Sequence, residues 1–290
     1  MRIGLQIPSF TFSGGQEQIA PEFSRIAREA DQGGLRSLWV MDHFFQIGMV
    51  GPPEDPMLEG YTALSYAAAQ TERILLGTMV TGVTYRHPGV LAKTVTTLDV
   101  LSGGRAILGI GAAWNDEESR GLGIPFPPIA ERFERLEETL RIFHQMRSGD
   151  EKAFDGKHYQ LERPLNSPAP LHRPHLPILI GGGGEKKTLR FVAKYADATN
   201  LFDSPELAHK LQVLQEHCGR EGRDYAEIEK TALTFFRTEK PSVDQAVETV
   251  GRLAEAGIDQ AIFSQGTGQD LAGILAETVQ QTKDIVPSGR

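Results

Sequence analysis

The chain has 290 residues, and its 30 Lys and Arg against 38 Asp and Glu leave a formal net charge of -8. That balance excludes a binder of nucleic-acid phosphates, which carries a basic patch and a high pI; a single cysteine, Cys218, excludes an internal disulfide and a zinc site of several thiolates. No apolar run approaches the roughly 18 residues that span a bilayer, and the opening MRIGLQIPSF lacks a signal-peptide core, so a cytoplasmic protein without a membrane partner is expected.

Short apolar runs alternate with longer runs of helical period along the whole chain. Residues 3–7 read as a strand, and residues 16–33 as a helix with Ile19, Phe23, Ile26, Ala27 and Ala30 on one face. SLWV at 37–40 is the second strand, followed by a long Gly/Pro loop and a helix over 61–70. Residues 74–83 form the third strand, and the helix over 90–101 stops at the C-cap signal Gly103-Gly104. The fourth strand, 105–110, leads to an amphipathic helix over 130–146 with Phe133, Leu136, Leu140 and Phe143 inward.

The rhythm then repeats, with strands at 177–180, 198–202, 228–236 and 260–264. The matching helices cover 187–195, a segment opened by Ser204-Pro205, 242–257 and 270–285. Eight strand–helix units in series predict an α/β fold, a (β/α)8 TIM barrel forming a single domain over 1–290. A hairpin-like segment at 154–159 falls inside 147–175, which reads as a short insertion after the fourth helix.

In such a barrel, functional residues belong at the C-terminal ends of the strands. Asp42 and His43 leave the second strand together, as an acid/base pair or as a cap beside a surface histidine. Gly181, Gly182, Gly183 and Gly184 join a strand to a helix and expose consecutive N–H groups. They suit a phosphate cradle better than a loose turn, although neither a P-loop nor a G-x-G-x-x-G fingerprint is present. After the fourth strand, Gly111, Ala112 and Ala113 let a planar group approach, with Trp114 and Asn115 as a wall and a hydrogen-bonding group; core packing for Trp114 is the alternative. Arg86 and His87 either face the barrel mouth or finish a loop before Pro88. No zinc-protease motif and no nucleophile elbow occurs, so no metal is expected.

Four segments carry a family resemblance: SLWVMDHF, ILLGTMVTGVTYRHPGVLAKTVTTLDVLSGGRAILGIGAAWNDEE, ERFERLEETLRI and LPILIGGGGEKKTLRFVAKYADATN. Together they resemble the luciferase-like monooxygenase superfamily, nearest to its actinobacterial coenzyme F420-dependent oxidoreductases. The resemblance implies a barrel that binds coenzyme F420 at its C-terminal mouth and transfers a hydride to or from a small-molecule substrate. FMN, in a monooxygenase served by a separate reductase, is the alternative, and a binding barrel without turnover is a third reading. A homodimer is implied only by resemblance.

Carried across residue by residue, the resemblance puts His43 near the reactive ring and Asp42 near its polar edge. Met79-Val80 falls where relatives carry a non-prolyl cis peptide pressed against the ring. Gly111 and Asn115 match the loop under the ring, and the four glycines match the phosphate cradle. Relatives acting on glucose 6-phosphate have a glutamate where this chain has Ala112. With Ala113 and Trp114 beside it, the substrate pocket is expected to take a flat, unsaturated organic molecule instead.

Overall fold

The computed structural model describes residues 1–236, 238 and 240–289. In chain order its elements are β1 (Arg2–Ile7), α1 (Ile19–Gln32), β2 (Ser37–Val40), α2 (Gly60–Ala68), β3 (Leu75–Thr78), β4 (Thr81–Gly82), α3 (Pro88–Leu101), β5 (Ala106–Gly111), α4 (Asp116–Gly121) and α5 (Ile129–Ser148). A hairpin of β6 (Phe154–Asp155) and β7 (Gln160–Leu161) follows. The second half contains β8 (Ile178–Gly181), α6 (Thr188–Tyr195), β9 (Ala198–Phe202), α7 (Leu207–Glu221), β10 (Glu229–Phe235), α8 (Val243–Glu255), β11 (Gln260–Ser264) and α9 (Ala272–Thr282).

The sheet runs β3-β2-β1-β11-β10-β9-β8-β5, and a β3–β5 pairing closes it into a ring of parallel strands, the expected (β/α)8 barrel. The antiparallel β6–β7 hairpin stands between α5 and β8, outside the ring, where the insertion was expected. Its turn is fastened by Glu138 of α5, whose carboxylate accepts the N–H groups of Lys157, His158 and Tyr159 at 2.7, 3.0 and 3.0 Å.

Strand alternation builds two separate cores. Leu38 and Val40 face the helices and join the large outer core, while Trp39 points into the barrel with Met79, Leu179, Ala198, Leu233 and Ile262. A Cβ on Gly77 would lie 2.5 Å from the Trp39 ring, so the neighbouring strand must carry glycine for the indole to fit. Arg105 ties the opposite end of the ring together: its guanidinium reaches the carbonyls of Ser102, Ile74, Ala68 and Thr71 at 2.7–3.0 Å.

Two expectations are corrected. The third strand is not continuous over 74–83: it breaks after Thr78, at a cis Met79-Val80 peptide, and resumes as β4. The helix after β9 begins at Leu207, with Ser204 and Pro205 in the preceding turn, where the Ser204 carbonyl accepts the Leu207 N–H at 3.0 Å. Among the described residues no helix is long and apolar enough to cross a membrane.

Candidate active site

A cavity of about 330 Å³ opens at the C-terminal ends of the strands. It lies at the lower end of the range of about 300–1,000 Å³ usual for small-molecule sites. Its walls include His43, Met79, Val80, Tyr85, Trp114 and Asn200. Of the expected site residues, His43, Met79, Val80, Gly111, Ala112, Ala113, Trp114, Gly181 and Gly182 line it. Asp42, Asn115, Gly183 and Gly184 do not.

The floor is made by Val80, pushed inward where the third strand breaks. A Cβ on Gly109 would come within 1.8 Å of the Thr78 carbonyl, and one on Gly111 within 3.0 Å of Val80 Cγ2. The kink is pinned from outside: Thr78 and Thr81 share a hydroxyl contact of 2.8 Å, and Tyr61 reaches Thr81 at 2.8 Å. The Thr78 hydroxyl also donates to the Gly109 carbonyl at 3.1 Å. The cis Met79-Val80 peptide implied by the family resemblance is present.

His43 forms one side of the mouth. Its ring lies 5.3 Å from that of Trp114, edge to face, and Trp114 is 59% exposed, a wall of the mouth and not core. Behind the imidazole sits Glu118, which is fully buried on the short helix α4. Glu118 Oε1 meets His43 Nδ1 at 2.6 Å and the Tyr85 hydroxyl, while Oε2 accepts the N–H groups of Phe44 at 2.7 Å and Phe45 at 3.3 Å. Burial pushes the Glu118 carboxyl upward, but the bonds from His43, Tyr85 and Phe44 outweigh it and hold it below the usual carboxylate range. Burial, and then the adjacent carboxylate, raise the Tyr85 phenol.

Asp42 turns away from His43. Only 1% exposed, it takes a forked pair of hydrogen bonds from Arg86 at 2.6 and 3.0 Å. Arg86 also reaches Glu59 and lies over the Tyr61 ring at 4.8 Å. Asp42 is therefore walled off from the cavity, and Arg86 finishes a buried network instead of facing the mouth. His87 caps α3, accepting the Gly89 N–H at 3.2 Å.

Asn115 is likewise a cap: its side chain accepts the Glu117 N–H at 3.2 Å and opens α4. Its neighbour Ala113 has a left-handed backbone, φ 60°. Arg132 of α5 donates to the carbonyls of Ala112, at 3.2 Å, and Ala113, holding this turn beneath Trp114. In the glycine run, only Gly182 has a positive φ, 110°, and its N–H is used by the Asn200 carbonyl at 3.1 Å. Gly183 has room beside it, with Lys210 3.7 Å from a built Cβ. The run leads into the N-terminus of α6, where Thr188 lines the cavity.

Sequence reading missed Glu118, Tyr85 and the α4 helix. A signal for the helix was present: Asn115 followed by Asp116, Glu117 and Glu118 is a capping residue before an acidic first turn.

Residues 1–287 match the family model described as luciferase-like monooxygenase. The chain belongs to that family. Within it, the chain is 36% identical over 189 residues to an F420-dependent glucose-6-phosphate dehydrogenase of Kineococcus radiotolerans, a match covering 64% of this chain and 52% of the relative. The chain thus spans about half the length of the curated relatives it matches in this way. Among solved structures, the coenzyme F420-dependent tetrahydromethanopterin reductase of Methanopyrus kandleri superposes with a TM-score of 0.77 at 18% identity, over 98% of both chains. A monooxygenase of Streptomyces bottropensis gives 0.78 at 18% identity, again over 98% of both. At these identities the two structures speak for the barrel alone.

Proposed function

We propose that this luciferase-like protein is an F420-dependent oxidoreductase acting on a small, uncharged organic substrate. The observation that carries the substrate class is the charge of the cavity. Among the described residues lining it there is no Lys, Arg, Asp or Glu, and His43 is the one histidine in the walls. A sugar phosphate seated among the apolar walls, away from the helix N-terminus at α6, would lose its hydration without a cationic partner, which is costly. Trp114, Ile129, Phe133, Phe202 and Leu233 offer apolar walls to a flat molecule instead.

The residues present fit a deazaflavin cofactor. Glycines at 109, 111 and 181 let Val80 form a flat floor, and the turn at Gly182 leads to the start of α6, which suits an anionic tail. Bound there, F420 would supply a carbon centre that exchanges a hydride. His43 would hold or accept the accompanying proton at the mouth, Trp114 would shield it from water, and Tyr85 and Asn200 would offer polar contacts to the ligand.

Side-by-side titration with F420 and FMN tests this reading. Trp114 reports occupancy by its fluorescence, whereas Trp39, closed inside the barrel, provides a steady background. Tighter binding of F420 is expected; submicromolar FMN binding with no response to F420 would replace it by a flavin monooxygenase.

A further inference from the structure

The His43–Glu118 pair fixes more than a distance. An ionised carboxylate has only acceptors, and three donors other than His43, the Phe44 and Phe45 N–H groups and the Tyr85 hydroxyl, converge on Glu118 and favour its ionised form. The ring nitrogen facing it at 2.6 Å, Nδ1, must therefore carry a hydrogen. Nε2 is left for the cavity that His43 lines. Free imidazole has no such obligation, since its tautomer follows whatever the other nitrogen meets.

We infer that Glu118 is a positioning residue that locks neutral His43 as the Nδ1–H tautomer, presenting the bare Nε2 lone pair to the ligand. As the proton partner of the hydride reaction, a role that rests on the function proposed above, His43 then works in both directions through one atom. A proton leaving a substrate hydroxyl, whose carbon would give up its hydride to the oxidised deazaflavin, goes to Nε2 and gives an imidazolium whose other N–H still faces the Glu118 carboxylate. In the reverse direction Nε2–H returns that proton to the substrate oxygen and the neutral tautomer is restored. The carboxylate thus comes from Glu118 on α4, the short helix that follows β5, while Ala112 leaves the cavity wall itself without one.

The arrangement makes Glu118→Gln informative because the two carboxylate oxygens have different duties. Oε2 accepts two backbone N–H groups, from Phe44 and Phe45, which cannot become acceptors. A glutamine would keep its oxygen there and turn its NH₂ toward His43 Nδ1. That nitrogen must then accept, and the hydrogen moves to Nε2.

The experiment is nitrogen-15 NMR of histidine-labelled, ligand-free protein above the histidine titration range, with the His43 signals assigned by their loss in His43→Ala. The wild type should show Nδ1–H, E118Q should show Nε2–H, and Tyr85→Phe, which leaves the His43–Glu118 bond in place, should keep the wild-type pattern. Circular dichroism on each sample establishes that it is folded. An Nε2–H signature in the wild type overturns the inference, as does a folded E118Q that keeps Nδ1–H. Should E118Q not fold, the wild-type and Tyr85→Phe spectra still decide. Because no cofactor is present, failure of F420 to bind would overturn the functional reading and leave the tautomer result standing.

Discussion

Val80 and Gly181 occupy one space: a Cβ built on Gly181 would meet Val80 Cγ1 at 2.9 Å and Cγ2 at 3.2 Å. The kink between β3 and β4 and the end of β8 are therefore fitted to each other. Gly181→Ala should cost about 1–3 kcal/mol of stability through overpacking. Val80→Ala in the same chain should recover most of it, since the two changes share a contact. Urea denaturation of the single and double variants measures the coupling, and additive losses would mean that the backbone yields instead.

The adjacent glycines should separate by function. Gly182 has φ 110°, so Gly182→Ala is expected to lower stability by about 1 kcal/mol or more. Gly183→Ala has ordinary van der Waals room and should leave the melting temperature nearly unchanged. If its backbone faces an anionic tail, F420 affinity should nevertheless fall at least tenfold, about 1.4 kcal/mol. Unchanged affinity at 183 would confine the cradle to the start of α6.

His43→Ala should lower kcat by roughly 10²–10⁴ while F420 affinity stays within a few fold, because the anionic tail is met by a different loop. Single-turnover oxidation of reduced F420 with an enone acceptor, beside a thermal melt, makes the comparison. A purely structural histidine would give the opposite pattern, a lower melting temperature with the rate per folded molecule intact.

Acid sensitivity should arise on the helical shell, at His144. Its Nε2 meets the Tyr195 carbonyl at 2.8 Å and its Nδ1 accepts from Arg147 at 2.9 Å, so the ring is seated neutral. Burial, and then the Arg147 charge, lower its pKa from the ordinary histidine value. The unfolded chain therefore binds this proton more readily than the folded one, and stability should decline as pH falls below about 6.5. Urea midpoints between pH 5 and 8 should trace that slope, and His144→Gln should reduce it, with His172, which burial lowers in the same direction, supplying the remainder. An equal slope in the variant would move the effect to another group.

The legible parts of the chain were those decided by neighbours in sequence. Ser37–Val40, Ala198–Phe202 and Gln260–Ser264 have the bounds their apolar runs suggest, because both faces of each strand are buried between barrel interior and helices. His43, Trp114 and the glycine turn were legible because strand ends converge at the mouth. The interruption after Thr78 was not legible in the strand itself: the space for Val80 is made by Gly111 and Gly181, far along the chain. Asp42 looked like a companion to His43, yet its partner is Arg86, 44 positions away. Glu118 was hidden for the same reason, since its donors come from two other loops.

The ring is closed by unequal seams. Strands β1 and β11 are paired from Arg2 to Gln6, whereas β3 meets β5 only at Leu76 and Gly77, and pairing resumes at Thr81 and Gly82 of β4. The stretch left between them is the floor of the cavity. Cooperative opening of a fold begins where fewest backbone bonds must be broken together, so amide hydrogens around Thr78–Thr81 should exchange before those of β1 and β11. A ligand resting on Val80 would bridge that gap from inside, acting as a clasp across the weakest join of the cylinder. Occupancy and the integrity of the barrel would then be a single equilibrium, visible as slowed exchange at the seam when the cavity is filled.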